Sequence, residues 1–225
     1  MHKIILIETS TSLCSVALAE NGAVTAYRES SAPKAHASLT AVFVQEVLEE
    51  KGLTLGDCDA VCVSKGPGSY TGLRVGVSTA KGLCFGSGKP LLAVGTLDTL
   101  VAQADSPSDY RYIIPMIDAR RMEVYAAVFE NGRQITETTP VIIDETSFAE
   151  YLEHGPCLFI GDGAGKCADT LTHPNAHFCQ CNPKASAMLQ PAQAALNARQ
   201  FEDVAYFEPF YLKEFVATVS KKKLF

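Results

Sequence analysis

Short apolar runs and longer amphipathic segments follow one another along the chain, which predicts an α/β protein. Apolar runs bounded by Gly-rich, Asn-containing or acidic turns are typical of buried strands. They occur at residues 3–7, 13–19, 23–28, 60–63, 91–94, 112–117, 123–129, 133–136 and 158–160. Apolar residues at helical spacing predict helices at residues 38–51, 72–85, 96–104, 146–154, 166–172 and 191–202. A last ordered segment is expected at residues 207–213.

The order of these elements repeats once. Each half reads strand, strand, hairpin turn, strand, helix, strand, Gly-rich loop and helix, and the turn Glu20-Asn21-Gly22 recurs as Glu130-Asn131-Gly132. Such an internal repeat predicts two similarly folded lobes, each with a mixed sheet covered by helices and with a cleft between them. We place the lobes at residues 1–106 and 107–225, with the last helix able to pack back on the first lobe.

The helix predicted at residues 38–51 carries more apolar surface than one sheet requires. A helix on a sheet needs an apolar stripe about 100° wide. Here the apolar positions cover well over half of the circumference, which predicts a second packing partner. These positions are Leu39, Val42, Phe43, Val44, Val47 and Leu48.

The helix predicted at residues 72–85 has a stripe almost without side chains, formed by Gly72, Gly76 and Ala80. Glycine inside a helix costs about 1 kcal/mol relative to alanine, so a compensating close contact is expected. Three interpretations remain open. The stripe packs on the chain's own sheet, or it receives a second helix or a partner subunit. Alternatively, the preceding Gly66-Pro67-Gly68 turn cradles a phosphate at the helix N-terminus.

Composition restricts the functional classes. The 225 residues are 47% hydrophobic and 20% charged, with a net charge of −6 and a pI near 5.4, so unaided nucleic-acid binding is not expected. The basic run at residues 221–223 is interpreted as a solvated tail. Eight cysteines without a Cys-x-x-Cys indicate reduced thiols, and Cys179-Gln180-Cys181 is the only tight pair. The first apolar run is too short for a signal peptide or a membrane span, so we expect a cytoplasmic protein.

Candidate catalytic groups are few. Glu8 and Asp118 end the first strand of each half and would face the cleft, where related nucleotide-binding folds hold phosphates and metal. The pair His173 and His177 has a metal-ligand spacing, but Pro174 disrupts the helix that would place both rings on one face. We therefore predict no metal site. His36 is expected to be an interface or capping group.

Several segments closely resemble one protein family. The longest is Gly66-Pro67-Gly68-Ser69-Tyr70-Thr71-Gly72-Leu73-Arg74-Val75-Gly76. The others are residues 5–11, 14–18, 79–83, 118–125, 161–164 and 209–213. In order and in sequence they are similar to the TsaB (YeaZ) family, over nearly the whole chain. The resemblance implies a duplicated actin/hexokinase-like (ASKHA, ribonuclease H-like) fold. Lys213 stands where the family often has Arg, which leaves the role of this position in doubt.

The resemblance also implies a non-catalytic subunit. Family members pair with the catalytic paralogue TsaD and the ATPase TsaE in a complex that uses ATP and Mg²⁺. That complex transfers a threonylcarbamoyl group to the adenosine beside the anticodon of tRNAs reading ANN codons. No cofactor is expected on this chain, tRNA would be reached through the complex, and the chain alone would form a homodimer.

Family pairing through the first two helices of the first lobe implies an interface on this chain. Its predicted residues are His36, Leu39, Val42, Phe43, Val47, Tyr70, Gly72, Leu73, Gly76, Val77 and Ala80. A vestigial nucleotide cleft is expected at Glu8, Asp118, Gly161, Asp162 and Gly163. Two other hypotheses stay open: a nucleotide-dependent small-molecule kinase or ATPase of the same fold, suggested by this cleft, and a metallopeptidase.

Overall fold

A five-stranded mixed sheet forms the centre of the first lobe. The structure is a computed structural model and describes residues 2–212. The strands of this sheet are β1 (Lys3–Glu8), β2 (Cys14–Glu20), β3 (Ala23–Ser30), β4 (Ala60–Gly66) and β5 (Leu91–Gly95). Their order is β3-β2-β1-β4-β5, with β1, β2 and β3 antiparallel and β1, β4 and β5 parallel.

The second lobe repeats this topology. Its main strands are β6 (Tyr112–Asp118), β7 (Glu123–Ala126), β10 (Thr139–Ile142), β11 (Cys157–Gly161) and β12 (Ala176–Gln180). They lie in the order β10-β7-β6-β11-β12, so each strand has a counterpart in the first sheet with the same relative direction. The predicted internal repeat is therefore confirmed at the level of strand topology.

The two Glu-Asn-Gly turns have the same backbone conformation but different neighbours. Asn21 and Gly22 have φ of 54° and 83°, and Asn131 and Gly132 have 52° and 74°. Positive φ at both central positions is the conformation that Asn-Gly favours in two-residue hairpins. The first turn joins β2 to β3. The second joins two short strands, β8 (Phe129–Glu130) and β9 (Arg133–Gln134), and β8 pairs with β6.

Two long helices cover one face of the first sheet. These are α1 (Ala35–Glu49) and α2 (Tyr70–Ser87), and their inner residues share a core with the β1, β2 and β4 side chains that point to the same face. The opposite face is covered by α5 (Leu189–Asn197) and by a 3₁₀ turn at Ala185–Met188. The last helix of the described chain thus packs against the first sheet, although it follows the second sheet in sequence.

A shorter helix, α3 (Thr96–Gln103), lies between the two sheets. Leu97 and Leu100 pack against Ile113 of β6 and Ile160 of β11, while α3 also contacts β4 and β5. Helix α3 therefore joins the cores of the two lobes.

The second lobe differs most from the predicted elements. The helix expected at 146–154 is only α4 (Ala149–Leu152), and the one expected at 166–172 is a 3₁₀ turn at Gly165–Cys167 followed by turns. The strand expected at 123–129 is interrupted at residues 127–128, and β10 and β12 were not predicted. Residues 207–212 have no regular secondary structure. Lys213 and the run at 221–223 lie outside the described residues.

A helix that crosses a bilayer needs about 20 consecutive, mainly apolar residues. Among residues 2–212, no helix combines the length and the apolar character that a membrane span needs.

Candidate functional site

Helix α2 begins directly after the turn at the carboxyl end of β4. The Ser69 hydroxyl accepts a hydrogen bond from the Gly72 amide at 3.3 Å, which makes Ser69 the N-cap of α2. The Ser69 amide in turn donates to the Ser10 carbonyl at 2.6 Å. These two contacts fix the start of α2 against the segment that follows β1.

The stripe of Gly72, Gly76 and Ala80 faces the chain's own first lobe. A Cβ on Gly72 would lie 2.1 Å from the Thr9 carbonyl oxygen, and one on Gly76 would lie 2.1 Å from Thr9 Oγ1. Ala80 is fully buried in the same core. The close backbone that the sequence led us to expect is thus that of Thr9 and Ser10, so the first of the three interpretations describes this stripe.

The predicted partner interface needs correction for the same reason. Seven of its eleven residues are buried within the first lobe and present no outer surface. They are Phe43, Val47, Gly72, Leu73, Gly76, Val77 and Ala80. The error arose because the pattern of small and apolar residues marks a tightly packed face but does not say which neighbour packs on it.

The other four predicted interface residues lie at or near the surface. Val42 is 43% exposed. Leu39 is half-buried against the first core. His36 is half-buried, and its Nε2 is 2.9 Å from the Thr11 carbonyl oxygen, which ties α1 to the turn between β1 and β2. Tyr70, the first residue of α2, is also half-buried.

Between α1 and α2 the outer surface forms a depression of about 570 Å³, lined by Ala37, Tyr70, Arg74, Val75 and Ser78 among others. The Arg74 guanidinium carbon lies 5.4 Å from the centre of the Tyr70 ring, and Arg74 Nη1 donates to the Tyr70 hydroxyl at 3.3 Å. This cation–π contact orients a positive charge and an aromatic ring at one edge of the depression.

The outer face of α2 continues along the helix with small residues and ends at a large apolar side chain. Ser78, Gly82 and Gly86 are exposed, and Phe85 is 87% exposed. A Cβ on Gly82 or Gly86 would meet no atom of residues 2–212 within 4 Å. We call this surface, together with Val42 of α1 and the depression, the outer α1/α2 face.

The chain returns to α2 after α5, over residues 201–212. Lys81 Nζ donates to the carbonyls of Ala205 and Phe207 at 3.1 and 3.0 Å. The Phe210 amide donates to the Lys65 carbonyl at 2.7 Å, and the Tyr211 ring lies 4.8 Å from the Tyr70 ring. The resemblance segment at 209–212 thus borders the outer α1/α2 face, a placement that the sequence did not indicate.

In the first lobe, Glu8 is fully buried at the end of β1. Its Oε1 accepts hydrogen bonds from the Ser10 amide at 2.7 Å and from the Ser64 hydroxyl at 2.9 Å. Burial outweighs these bonds and raises the pKa of Glu8 to about 7. Within the described chain its Oε2 has no hydrogen-bond partner. This carboxyl is enclosed in the protein and holds the Thr9–Ser10 segment in place.

In the second lobe, Asp118 is exposed but already has partners. Its Oδ1 accepts the Arg120 amide at 2.8 Å and forms an ion pair with Lys166. The Asp118 amide donates to Asp162 Oδ1 at 2.9 Å. Burial raises the pKa of Asp162 to about 6. The hydrogen-bond partners of Glu8 lie in the first lobe and those of Asp118 in the second, so these bonds do not join the two acids in one site.

The glycines of the predicted cleft are packed against strand β6. A Cβ on Gly161, where φ is 135°, would lie 2.1 Å from the Met116 carbonyl oxygen. A Cβ on Gly163 would lie about 3 Å from Val124 and from the Asp118 amide. These glycines are therefore explained by the packing of the loop on its own sheet. Over residues 2–212, His, Cys, Asp and Glu side chains form no group of three or more that could hold a metal ion.

The chain is similar in sequence to proteins of tRNA threonylcarbamoyladenosine biosynthesis. The family model described as "TsaD: tRNA N6-adenosine threonylcarbamoyltransferase" matches residues 29–220. The chain is 31% identical to the tRNA threonylcarbamoyladenosine biosynthesis protein TsaB of Escherichia coli, over 96% of both chains. It is 33% identical to a tRNA N6-adenosine threonylcarbamoyltransferase of Maricaulis maris, but over only 43% of this chain and 26% of that protein.

A solved structure from Pseudomonas aeruginosa also matches nearly the whole chain. It is described as an uncharacterized protein with similarity to peptidase YEAZ, and it matches with a TM-score of 0.84 and 27% identity over 95% of this chain and 100% of that one. The predicted duplicated actin/hexokinase-like fold is confirmed. The comparisons do not favour the hypothesis of a small-molecule kinase or ATPase. With matches of this length to TsaB proteins and to the YeaZ structure, the chain belongs to the TsaB (YeaZ) family.

Proposed function

We propose that this chain is a non-catalytic subunit in the formation of threonylcarbamoyladenosine beside the anticodon of tRNAs that read ANN codons. It would bind and support a TsaD-like transferase, in a complex that also contains a TsaE-like ATPase and uses ATP and Mg²⁺. The observation that carries the proposal is the 31% identity to the E. coli TsaB protein over 96% of both chains. Contact with tRNA would come through the complex.

The outer α1/α2 face supports a docking role. Val42 and Phe85 are 43% and 87% exposed, and both lie on helices that are otherwise fixed to the first sheet. On the same helix as Phe85, the small residues Ser78 and Gly82 are exposed, and a Cβ on Gly82 would meet no described atom within 4 Å, which leaves space for the backbone of another helix. Large apolar side chains exposed beside small residues are a feature of protein–protein interfaces. We propose this face as the interface with the transferase and, in the isolated chain, with a second copy.

The state of the acids in the cleft supports a role without catalysis. The Asp118 carboxylate is engaged by Lys166 and by the Arg120 amide. Glu8 is enclosed and hydrogen-bonded to Ser10 and Ser64. An acid that is to coordinate Mg²⁺ must offer a free, ionised oxygen to the ligand. Glu8 Oε2 has no hydrogen-bond partner in the described chain, but the carboxyl is enclosed by protein and its pKa is raised to about 7, and Asp118 is paired with Lys166, so both side chains hold neighbouring segments of their own lobes.

Co-purification with the cognate TsaD-like protein tests the proposal. Gly82→Arg places a long charged side chain on the outer α1/α2 face, where a Cβ meets nothing within 4 Å, so the fold should tolerate it. We expect at least tenfold weaker binding, because an unpaired charge would be buried in the interface. Ile142→Arg is the matched control, since Ile142 is 74% exposed on β10 of the other lobe.

The same proteins should be assayed for tRNA modification with and without this chain. We expect modification to require the chain and to fall with Gly82→Arg but not with Ile142→Arg. If the chain without any substitution does not bind the transferase, the proposed function is rejected. Unchanged binding by Gly82→Arg would show that the interface lies elsewhere on the molecule.

A further inference from the structure

Two of the eight cysteines differ from the rest in their exposure. Cys179 is exposed and Cys181 is half-buried, whereas the other six thiols are buried in the two lobes. Those six are Cys14, Cys58, Cys62, Cys84, Cys157 and Cys167. A reagent in solution would therefore meet the thiols of this one short segment first.

The two thiols lie next to each other at the edge of the second sheet. Cys179 belongs to β12, the last strand of the sheet, and the Cys181 amide continues the ladder by donating to the Gly161 carbonyl at 3.3 Å. Residues two apart in an extended strand point to the same face. The side chains of Cys179 and Cys181 therefore lie on the same face of the strand, and the nearby Cys179 is one of the groups that raise the pKa of the Cys181 thiol.

We propose that Cys179 and Cys181 form a redox-active dithiol, which low-molecular-weight disulfides such as oxidised glutathione convert to an intramolecular disulfide. This site is separate from the outer α1/α2 face, and its chemistry does not depend on the function proposed above.

The exchange proceeds in two balanced steps. The Cys179 thiolate attacks one sulfur of the small disulfide, whose S–S bond breaks and releases one small thiol. The Cys181 thiolate then attacks the Cys179 sulfur of the mixed disulfide and releases the second small thiol. The protein loses two protons and two electrons, and the small disulfide takes up both and becomes two thiols.

The environment of the thiols sets this order. Cys179 is the more exposed thiol and so meets a reagent first, which makes it the first nucleophile, and burial together with the neighbouring Cys179 raises the pKa of Cys181. Conversion of Cys179 to a mixed disulfide removes its charge and so removes one cause of the raised pKa of Cys181. Cys181 can then act as the resolving thiol.

The bridge would strain the strand and should be readily reversible. Two residues of a strand span about 6.6 Å between Cα atoms, close to the upper limit of about 6.8 Å seen across disulfides. Closure of the bridge therefore draws the backbone together at the residue in between, and strained disulfides are reduced more easily. Such a bond suits a responsive site more than a structural one.

The residue in between is Gln180, and it holds the Gly-rich loop of the second lobe. Gln180 Nε2 donates to the Asp162 carbonyl at 2.9 Å, and Gln180 Oε1 accepts the Gly165 amide at 2.6 Å. A bend at Gln180 would move both groups of its side chain amide. Oxidation of the dithiol is thereby coupled to the loop that follows β11.

Treatment of the full chain with oxidised glutathione, followed by peptide mass spectrometry, tests the dithiol. We expect one internal disulfide in the peptide that contains both residues, while the six buried thiols stay reduced. In Cys181→Ser, Cys179 should instead retain one glutathione, because the resolving thiol is missing. Separate glutathione adducts on Cys179 and Cys181 of the unmodified chain, or preferential oxidation of another thiol, would overturn the proposal.

Hydrogen exchange of the Gly165 amide tests the coupling. We expect several-fold faster exchange in the oxidised chain, since this amide loses its hydrogen bond to Gln180. Gln180→Ala in the reduced chain is the matched control and should reproduce the faster exchange, while Cys179→Ser with oxidant should not. An oxidised chain that exchanges this amide at the reduced rate would overturn the coupling.

Discussion

Helix α2 carries glycines on a buried face and on an exposed face, and the surroundings of these two faces differ. On the inner face, a Cβ on Gly72 would lie 2.1 Å from the Thr9 carbonyl oxygen. On the outer face, a Cβ on Gly82 would meet no atom within 4 Å. Both residues carry the helix-propensity cost of glycine. Among the described residues only the inner glycine is required by a contact within the chain, so the outer one needs another explanation.

This difference reverses the assignment that the sequence favours. The regular spacing of Gly72, Gly76 and Ala80 marks a tight internal contact, which sets the position of α2 on β1. The exposed Ser78 and Gly82 are less conspicuous in the sequence but lie on the surface that remains open. A substitution of Gly76 would therefore disturb the fold of the first lobe and could not report on partner binding alone.

The largest effect in this comparison is expected for Gly72→Ala. The added methyl overlaps a backbone carbonyl, which has no alternative rotamer, so α2 or the Thr9 segment must shift. We expect a loss of about 3 kcal/mol or more in the free energy of unfolding, at the upper end of overpacking effects. Urea denaturation of the purified chain measures it. Stability equal to that of the unmodified chain would show that the inner contact is not tight.

An intermediate effect is expected for Glu8→Gln, because Glu8 holds the segment on which the inner face packs. Its pKa is raised from 4.5 to about 7, so the folded chain keeps this proton where the unfolded chain has released it. The contribution of Glu8 to stability is therefore complete below about pH 4.5 and is lost as the pH rises through about 7. The difference between 4.5 and about 7 corresponds to roughly 3 kcal/mol.

Glu8→Gln should remove this dependence, because glutamine is neutral at every pH in the range. We expect its free energy of unfolding to fall less than that of the unmodified chain between pH 5 and pH 8, as measured by urea denaturation at several pH values. Asp162, whose pKa is raised from 3.8 to about 6, contributes equally to both proteins. Parallel stability curves for the two proteins would contradict the raised pKa of Glu8.

The repeated strand order could be predicted from the sequence because its strands are continuous apolar runs with clear turns. Ile4, Leu6 and their neighbours in β1 are buried on both sides of the sheet, which leaves an unambiguous pattern. Strand β12 was missed because it is an edge strand whose residues are only partly buried or exposed, so it lacks an apolar run. The helix expected at 166–172 is shorter than its apolar spacing suggested: the Leu171 amide donates to the Cys167 carbonyl at 2.9 Å, but this single turn between two buried residues is not continued as a helix.

The candidate site was predicted less completely than the fold. The sequence identifies α1, α2, Glu8 and Asp118 as notable positions, and the structure describes all of them. The sequence does not show that Ser64 binds Glu8 or that Lys166 binds Asp118, because each contact joins residues about 50 positions apart in the chain. A distant contact also decides which face of α2 is exposed, because Thr9 covers the inner face at Gly72 and Gly76.

The smallest effect is expected for Gly82→Ala, which tests the outer face directly. Alanine replaces glycine at an exposed helical position with free space, so the free energy of unfolding should rise by about 0.5–1 kcal/mol. The same methyl would occupy space that a closely packed partner helix uses, so binding of the TsaD-like protein should weaken at the same time. Thermal denaturation and titration with the partner measure the two quantities. A gain in stability without any change in affinity would place the partner away from Gly82. A gain in stability together with a loss of affinity would show that Gly82 serves the partner contact. Gly72 on the inner face differs, because Gly72→Ala lowers stability through a contact within the chain.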